Sequence, residues 1–368
     1  MRQIIINATA ACYSGALTII KDFMSYVYEN GSLECQLHLL TTTEGVFHNV
    51  QNVIVHELPV QNWRTRLVWD KRGFQKWCEI NDIFPDTVIS FQNTCPRLTG
   101  KFRNVKLLVY YHQQLPLVKY PWKCYRSDER KLFLYAHFYG FFVNRWNKNA
   151  EYVVQLPSVK ELFCKKFPNI KSENVHVIRP NLPKIDIDAL PKKHMHAGKK
   201  VFIYPATPLR YKNHIVILKA LDYLRKENSK ILGQLKVIFT VPKNSFVADT
   251  VRKMKLDSFV DCIESIPYEE LLSYYKSSSA LLFPSKIESF GLPLIEAALF
   301  GIPIVASDLP YAREVLEKYE NSAFINSDDC VSFANAIKEV CMTEKQLKPM
   351  IDENINAWEQ FEQLMLYL

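Results

Sequence analysis

Along the chain, short apolar runs alternate with longer stretches whose apolar positions recur every three or four residues. The runs predict strands buried on both faces and the stretches predict amphipathic helices, so their regular alternation points to parallel βαβ units and an α/β fold. In the first half, strands are expected at Gln3–Asn7, Gln36–Leu40, Val53–Glu57, Thr87–Phe91, Lys106–Tyr111, Tyr152–Gln155 and Val175–Ile178. Between Arg179 and Lys200 the periodicity lapses into Pro-Asn-Leu-Pro, Leu190-Pro-Lys-Lys and His-Met-His-Ala-Gly, the residue types of a connecting segment. The pattern restarts with strands at Lys200–Tyr204, Leu235–Thr240, Val260–Cys262, Ala280–Phe283, Pro303–Ser307 and Ser322–Ile325. Helices are expected between them, notably His214–Lys226, Tyr268–Lys276, Pro293–Phe300 and Cys330–Val340. A last amphipathic stretch, Leu347–Leu368, has no strand after it.

Length turns this pattern into two domains: 368 residues exceed the ~250–300 at which a single core stops growing. The expected division is a Rossmann-like domain over 1–182, a linker over 183–198 and a second Rossmann-like domain over 199–346. The final 347–368 helix would pack back on the first domain. Two such domains would face each other across a cleft.

Composition, 48% hydrophobic and 23% charged, is that of an ordinary globular protein and excludes disordered or fibrous classes. Nine scattered cysteines contain no Cys-x-x-Cys pair, so they are expected to be reduced and to form neither a zinc ribbon nor a redox site. Met1-Arg-Gln leads straight into Ile4-Ile-Ile, which is too short for a secretory leader, and a cytoplasmic location is expected. The longest apolar stretch, Leu132–Val143, falls short of the ~20 residues that cross a bilayer as a helix. Charge is unevenly placed. Residues 101–170 carry a net +9 against +8 for the whole chain, interleaved with aromatics in Val118-Lys-Tyr-Pro-Trp-Lys-Cys-Tyr-Arg and Arg130-Lys-Leu-Phe-Leu-Tyr-Ala-His-Phe-Tyr-Gly-Phe-Phe. This mixture suits the surface of an anionic membrane. It equally suits a core helix flanked by solvated lysines.

The most informative segment is Phe283-Pro-Ser-Lys-Ile-Glu-Ser-Phe-Gly-Leu-Pro-Leu-Ile-Glu-Ala-Ala, which runs from a strand end through a loop into a helix. Glu288 falls at the carboxyl end of the strand, where ligands bind in open α/β sheets, and Glu296 about one turn into the helix. Around Ser289, Phe290, Gly291 and Leu292 the backbone can aim free N–H groups and the positive end of the helix dipole at a diphosphate. Gly291 lets backbone approach ligand where a β-carbon would intrude.

These residues resemble the donor site of the family-4 retaining glycosyltransferases, whose signature is two glutamates with seven residues between them, the first followed by Ser/Gly-Phe-Gly. The resemblance implies a GT-B fold and transfer of a sugar from a nucleotide diphosphate with retained anomeric configuration and no metal. Glu288 would then contact the donor sugar, the following amides the pyrophosphate, and Glu296 the ribose. It also gives a role to Tyr204-Pro-Ala-Thr-Pro-Leu-Arg-Tyr-Lys-Asn-His: Lys212 matches the family lysine that holds the donor phosphates. The family arginine position, within Pro205–Thr207, is vacant, and Arg210 is the nearby cation that would compensate.

In the first domain, Ser14-Gly15-Ala-Leu-Thr resembles the glycine-containing loop facing the donor, though a plain βα turn has the same composition. His112, at the end of the strand Lys106–Tyr111, resembles the family histidine beside the donor sugar. Asn181 resembles the asparagine that closes the first domain, and a turn role explains it equally well. The resemblance covers about Lys200–Val340 closely and the first domain only in architecture. Its implied catalytic residues are His112, Lys212 and Glu288; the implied donor-binding residues are Gly15, Arg210, Lys212, Glu288–Leu292 and Glu296. Asp186-Ile-Asp188 is an Asp-x-Asp sequence in the presumed linker and reads as solvated charge, so no metal ligand is expected. The implied partners are a nucleotide sugar and a saccharide or lipid-linked acceptor, in bacterial surface-polysaccharide synthesis, with no nucleic acid. Two other readings stay open: a nucleotide-sugar 2-epimerase of the same fold, and an inert nucleotide-sugar-binding protein.

Overall fold

The computed structural model describes residues 1–11, 14–30, 35–59, 62–123, 127–143, 145–146, 149–181, 185–343, 348–350 and 357–367. The chain divides into two compact units, Met1–Asn181 with Asn354–Leu368, and Leu182–Glu353.

The first unit carries strands β1 (Arg2–Asn7), β2 (Cys35–Thr41), β3 (Val53–Glu57), β4 (Thr87–Ser90), β5 (Lys106–Tyr110), β6 (Glu151–Val154) and β7 (Val175–Val177) in one sheet of order β3-β2-β1-β4-β5-β6-β7. The second carries β8 (Lys200–Tyr204), β9 (Leu235–Phe239), β10 (Val260–Cys262), β11 (Ala280–Phe283), β12 (Ile304–Ser307) and β13 (Ser322–Ile325) in the order β10-β9-β8-β11-β12-β13. Every strand pairing in the two sheets is parallel. Helices cover the faces, so the central strands are buried on both sides and read as unbroken apolar runs, such as Ile4–Ile6 and Ala280–Phe283. That is why the expected strands all appear, with ends shifted by a residue or so. In each sheet the order reverses at the first strand, between β1 and β4 and between β8 and β11, and the carboxyl ends there are the usual ligand positions of such sheets.

Three expectations need correction. The stretch around 187–193 is no free linker: Lys276, in the last turn of the helix Tyr268–Ser277, donates to the carbonyls of Ile187 and Leu190 at 2.7 Å each, and Lys193 N–H donates to Ser277 Oγ at 2.8 Å. A lysine at a helix carboxyl end gathers loose carbonyls well, which ties this segment to the second unit. The final helix is Ala357–Tyr367; Lys348–Met350 are irregular, the Met350 N–H donating to Ala298 O at 2.8 Å, and the rest of 347–356 lies outside the described residues. The apolar stretch 132–143 is not a single core helix either. It spans the end of Ser127–Phe138 and the short Gly140–Val143, and leaves Leu134, Phe138 and Phe141 exposed.

The helix Ala357–Tyr367 lays Trp358, Phe361 and Met365 into the core of the first unit against Phe23, Phe91 and Tyr110. Asn181 receives the Ala357 N–H at 2.8 Å and so holds the start of that helix. Among the described residues no helix is long and apolar enough to cross a membrane. The described cysteines are free thiols; Cys12 and Cys124 lie outside the described residues.

Candidate functional site

In the second unit, the loops following β8 and β11 meet at the sheet's switch point. Lys286 N–H donates to Tyr211 O at 2.8 Å, stitching one loop to the other. Asn213, in the left-handed conformation at φ 59°, donates its amide to Pro284 O (3.2 Å) and Ser327 O (2.7 Å). Tyr204 and Tyr311 hydroxyls donate to Lys212 O (2.6 Å) and Ser285 O (2.7 Å). These bonds fix the backbone on both sides of one charge pair: Lys212 Nζ lies 2.6 Å from Glu288 Oε1, with the side chains only 17% and 12% exposed. Burial works against the Lys212 ammonium, but the facing Glu288 carboxylate and Tyr211 together outweigh it and leave the lysine pKa raised.

Just beyond Glu288, Gly291 stands at the N-cap of the helix Leu292–Leu299 with φ +92°, a conformation that favours glycine. A β-carbon there would approach Leu294 Cδ1 to 3.2 Å. The N–H groups of Phe290, Gly291 and Leu292 donate to no group among the described residues, and Pro293 supplies none. The turn therefore presents donors at the positive end of a helix, beside a lysine, which is the chemistry that receives phosphate oxygens. Ser289 is half-buried in the same turn.

Arg210 opens the short 3-10 turn Arg210–Lys212 and lies 4.5 Å over the Phe246 ring. Glu296 sits on the inner face of its helix, 5% exposed. Tyr275 donates to its Oε2 at 2.9 Å, and burial pushes its pKa up to about 7 while Tyr275 and Tyr268 act in the opposite sense. Neither tyrosine was singled out from the sequence; their spacing at 268 and 275 on one helix face is the only signal that would have paired them. His214, next to Asn213, is a core residue packed on Tyr204 and Phe239, and burial depresses its pKa to about 3.

In the first unit, Gly15 belongs to the first turn of the helix Ser14–Asn30, not to a loop: helix begins as soon as the periodic run begins. His112 follows β5 after one residue, Tyr111. The His112 backbone N–H donates to Asn93 Oδ1 at 2.7 Å, and burial brings its pKa down to about 4, with the Tyr110 carbonyl acting in the opposite sense. The loop after β4 that supplies Asn93 is wholly buried from Phe91 to Cys95. Its neighbour Thr94 donates to Asp70 Oδ2 at 2.5 Å. Asp70 sits in a π-turn, Trp69–Gly73, within an otherwise α-helical run, and burial pushes its pKa up to about 7. π-turns of this kind recur at functional sites. Asp186 lies away from any such network and accepts the Ala189 N–H in an exposed turn.

The two parallel sheets and their switch-point loops define the two-Rossmann-domain architecture called GT-B. Residues 186–357 match the family described as glycosyl transferases group 1. The O-antigen chain mannosyltransferase RfbU of Salmonella typhimurium is 25% identical over 252 residues, 66% of this chain and 67% of RfbU. The serotype-specific mannosyltransferase WbdA of Escherichia coli is 30% identical over 178 residues, 46% of this chain but only 21% of WbdA. The Anabaena protein HepE, solved with UDP and glucose, shares the fold over the whole of both chains with a TM-score of 0.66 at 15% identity.

Proposed function

We propose that the chain is a retaining, metal-independent glycosyltransferase that moves a sugar from a nucleotide diphosphate onto a saccharide or lipid-linked saccharide during bacterial surface-polysaccharide synthesis. The observation that carries this reading is the unpartnered amide turn at Gly291 beside the buried Lys212–Glu288 pair. A glycosyl–phosphate bond breaks toward an oxocarbenium-like sugar and a diphosphate, so the main catalytic need is preorganised positive charge at the leaving group. Amides at a helix terminus and Lys212 meet that need without a metal, and a diphosphate would draw the ammonium away from Glu288. Glu288 is then released to accept a donor-sugar hydroxyl, Arg210 is the second cation for the phosphates, Glu296 serves the ribose, and His112 is read as a sugar-facing group and Gly15 as donor-binding, as the family resemblance implies. The leaving phosphate itself takes the acceptor proton, which accounts for same-face attack and retention.

The names of RfbU and WbdA put activated mannose first among the donors to try. In a thermal-shift and transfer screen of UDP-, GDP-, ADP- and dTDP-sugars in EDTA, one class is expected to raise the melting temperature and to yield product with the donor's anomeric configuration. Epimerised donor without acceptor, or binding with no transfer to any acceptor, would replace this reading with the isomerase or the inert binder.

The surface of the first unit supports an acceptor carried at a membrane. Leu134 and Phe138, 49% and 60% exposed and four residues apart on the helix Ser127–Phe138, share one face, and Phe141, 58% exposed, follows in the short helix Gly140–Val143. Exposed Arg130, Lys131 and Arg145 border it, Arg145 lying 4.4 Å over the Phe141 ring. Rings flanked by cations suit an anionic lipid interface. The doubly substituted Phe138→Ser/Phe141→Ser protein is expected to lose most flotation with phosphatidylglycerol-containing liposomes while keeping its nucleotide-sugar thermal shift; flotation equal to that of the unsubstituted protein would remove this part of the proposal.

A further inference from the structure

Three consecutive side chains of the buried loop after β4 go to three different partners. Gln92 Nε2 donates to Thr9 Oγ1 at 2.7 Å, Thr94 donates to Asp70, and Asn93 between them engages His112. Asn93 has φ +63°, a left-handed conformation that asparagine tolerates better than most residues. Its amide orientation is fixed by chemistry. A backbone N–H can only donate, so the atom 2.7 Å from His112 N is the oxygen, and the amide nitrogen is on the ring side, 3.4 Å from His112 Nε2. An amide nitrogen can also only donate. His112 Nε2 must therefore accept, and the proton of the neutral ring is on Nδ1. That Nδ1 is buried and has no hydrogen-bond partner among the described residues. The neighbouring Tyr110 carbonyl acts on the ring as a hydrogen-bond acceptor and favours a proton there, but it does not meet Nδ1 at full hydrogen-bond geometry. A buried donor met only at poor geometry is costly, and this one sits at the carboxyl end of a central strand, where a ligand oxygen would satisfy it better.

We infer that Asn93 is a positioning residue that holds His112 in the Nδ1–H tautomer, making Nδ1–H the donor to a hydroxyl oxygen of the bound sugar. The inference rests on the reading of His112 as a sugar-facing group given under Proposed function, and its test separates the two. Nitrogen-15 NMR of histidine-labelled, full-length protein without ligand, with the His112 signals assigned through His112→Gln, reads the tautomer directly. The expected result is a protonated Nδ1 and a bare Nε2. In Asn93→Asp both side-chain oxygens accept, so Oδ1 still holds the His112 N–H while the second oxygen draws a proton onto Nε2. The tautomer is expected to switch, with kcat falling at least tenfold and KM for the nucleotide sugar changing less than threefold. Asn93→Gly keeps the left-handed backbone and removes both bonds; it is expected to give mixed tautomers and an intermediate kcat, and it carries the test should the Asp variant not fold. A bare Nδ1 in the unsubstituted protein, an unswitched tautomer in Asn93→Asp, or a switched tautomer with unchanged kcat would each overturn the inference. If the tautomer is as expected but no nucleotide sugar moves the His112 signals, the sugar-facing role fails and Asn93 is left with a purely structural one.

Discussion

Lys212→Met is expected to lower the rate of sugar transfer at saturating donor by about a hundredfold to a thousandfold, the usual loss when one preorganised donor to a developing anion is removed. Methionine is close to lysine in length and apolar bulk and lacks the ammonium, so the loss reports on charge. The same change leaves the Glu288 carboxylate, 12% exposed, without the cation 2.6 Å away, and the melting temperature should fall with the rate. The double variant Lys212→Met/Glu288→Gln tells the two effects apart. Neutralising the orphaned acid should restore most of the melting temperature and none of the activity, because the diphosphate still lacks its counter-charge. Steady-state kinetics beside thermal denaturation of the three variants is the measurement. A methionine variant that keeps more than half the wild-type rate would mean that the ammonium serves only to neutralise Glu288, and the amide turn at Gly291 would have to carry the leaving group alone.

The same pair shows where the sequence is readable. Lys212 and Glu288 are 76 positions apart, yet each follows an apolar run at a strand end, and the sheet order puts β8 beside β11. Doubly buried parallel strands need unbroken apolar residues, so their positions are written locally. The turn at Gly291 is likewise local, since a glycine followed by a helix-starting Leu-Pro admits few backbones. What stayed hidden depends on contacts between distant, individually ordinary residues. Asn93 looks like any polar residue after a strand until β5 lines up beside β4 and brings His112 to its amide. Asp70 lies in a helical pattern, and nothing nearby announces the π-turn that turns its carboxylate inward to Thr94. Glu296 could be placed on a helix from its spacing, but the side it faces, toward Tyr275, follows only from how two helices pack. The segment near Leu190 reads as a linker because its bonds are to residues far along the chain, such as Lys276, 86 positions from Leu190, and Ser277, 84 positions from Lys193.

Trp358→Ala is expected to destabilise the first unit by about 3–5 kcal/mol, the range for deleting a buried tryptophan or phenylalanine. Trp358 is 1% exposed and stands at the start of the last helix, its ring 5.0 Å from Phe23 and 5.7 Å from Phe361. Its Nε1–H donates to Asp22 Oδ2 at 2.7 Å, so the alanine variant loses packing and leaves a carboxylate without that donor. Trp358→Phe separates the two contributions. It keeps most of the apolar volume and removes the indole hydrogen bond, which predicts a loss nearer ~1–2 kcal/mol, in line with one hydrogen bond to a charged group and a small cavity. Urea denaturation, followed by circular dichroism and by hydrogen exchange at β1, β4 and β5, would register the change. Exchange at β8 and β11 is expected to stay as it was, because the ring packs in the core of the first unit. Should alanine cost less than 1 kcal/mol, Phe361, fully buried and 5.3 Å from Phe23, would be the residue that holds this helix to the sheet, with Trp358 a supplementary contact.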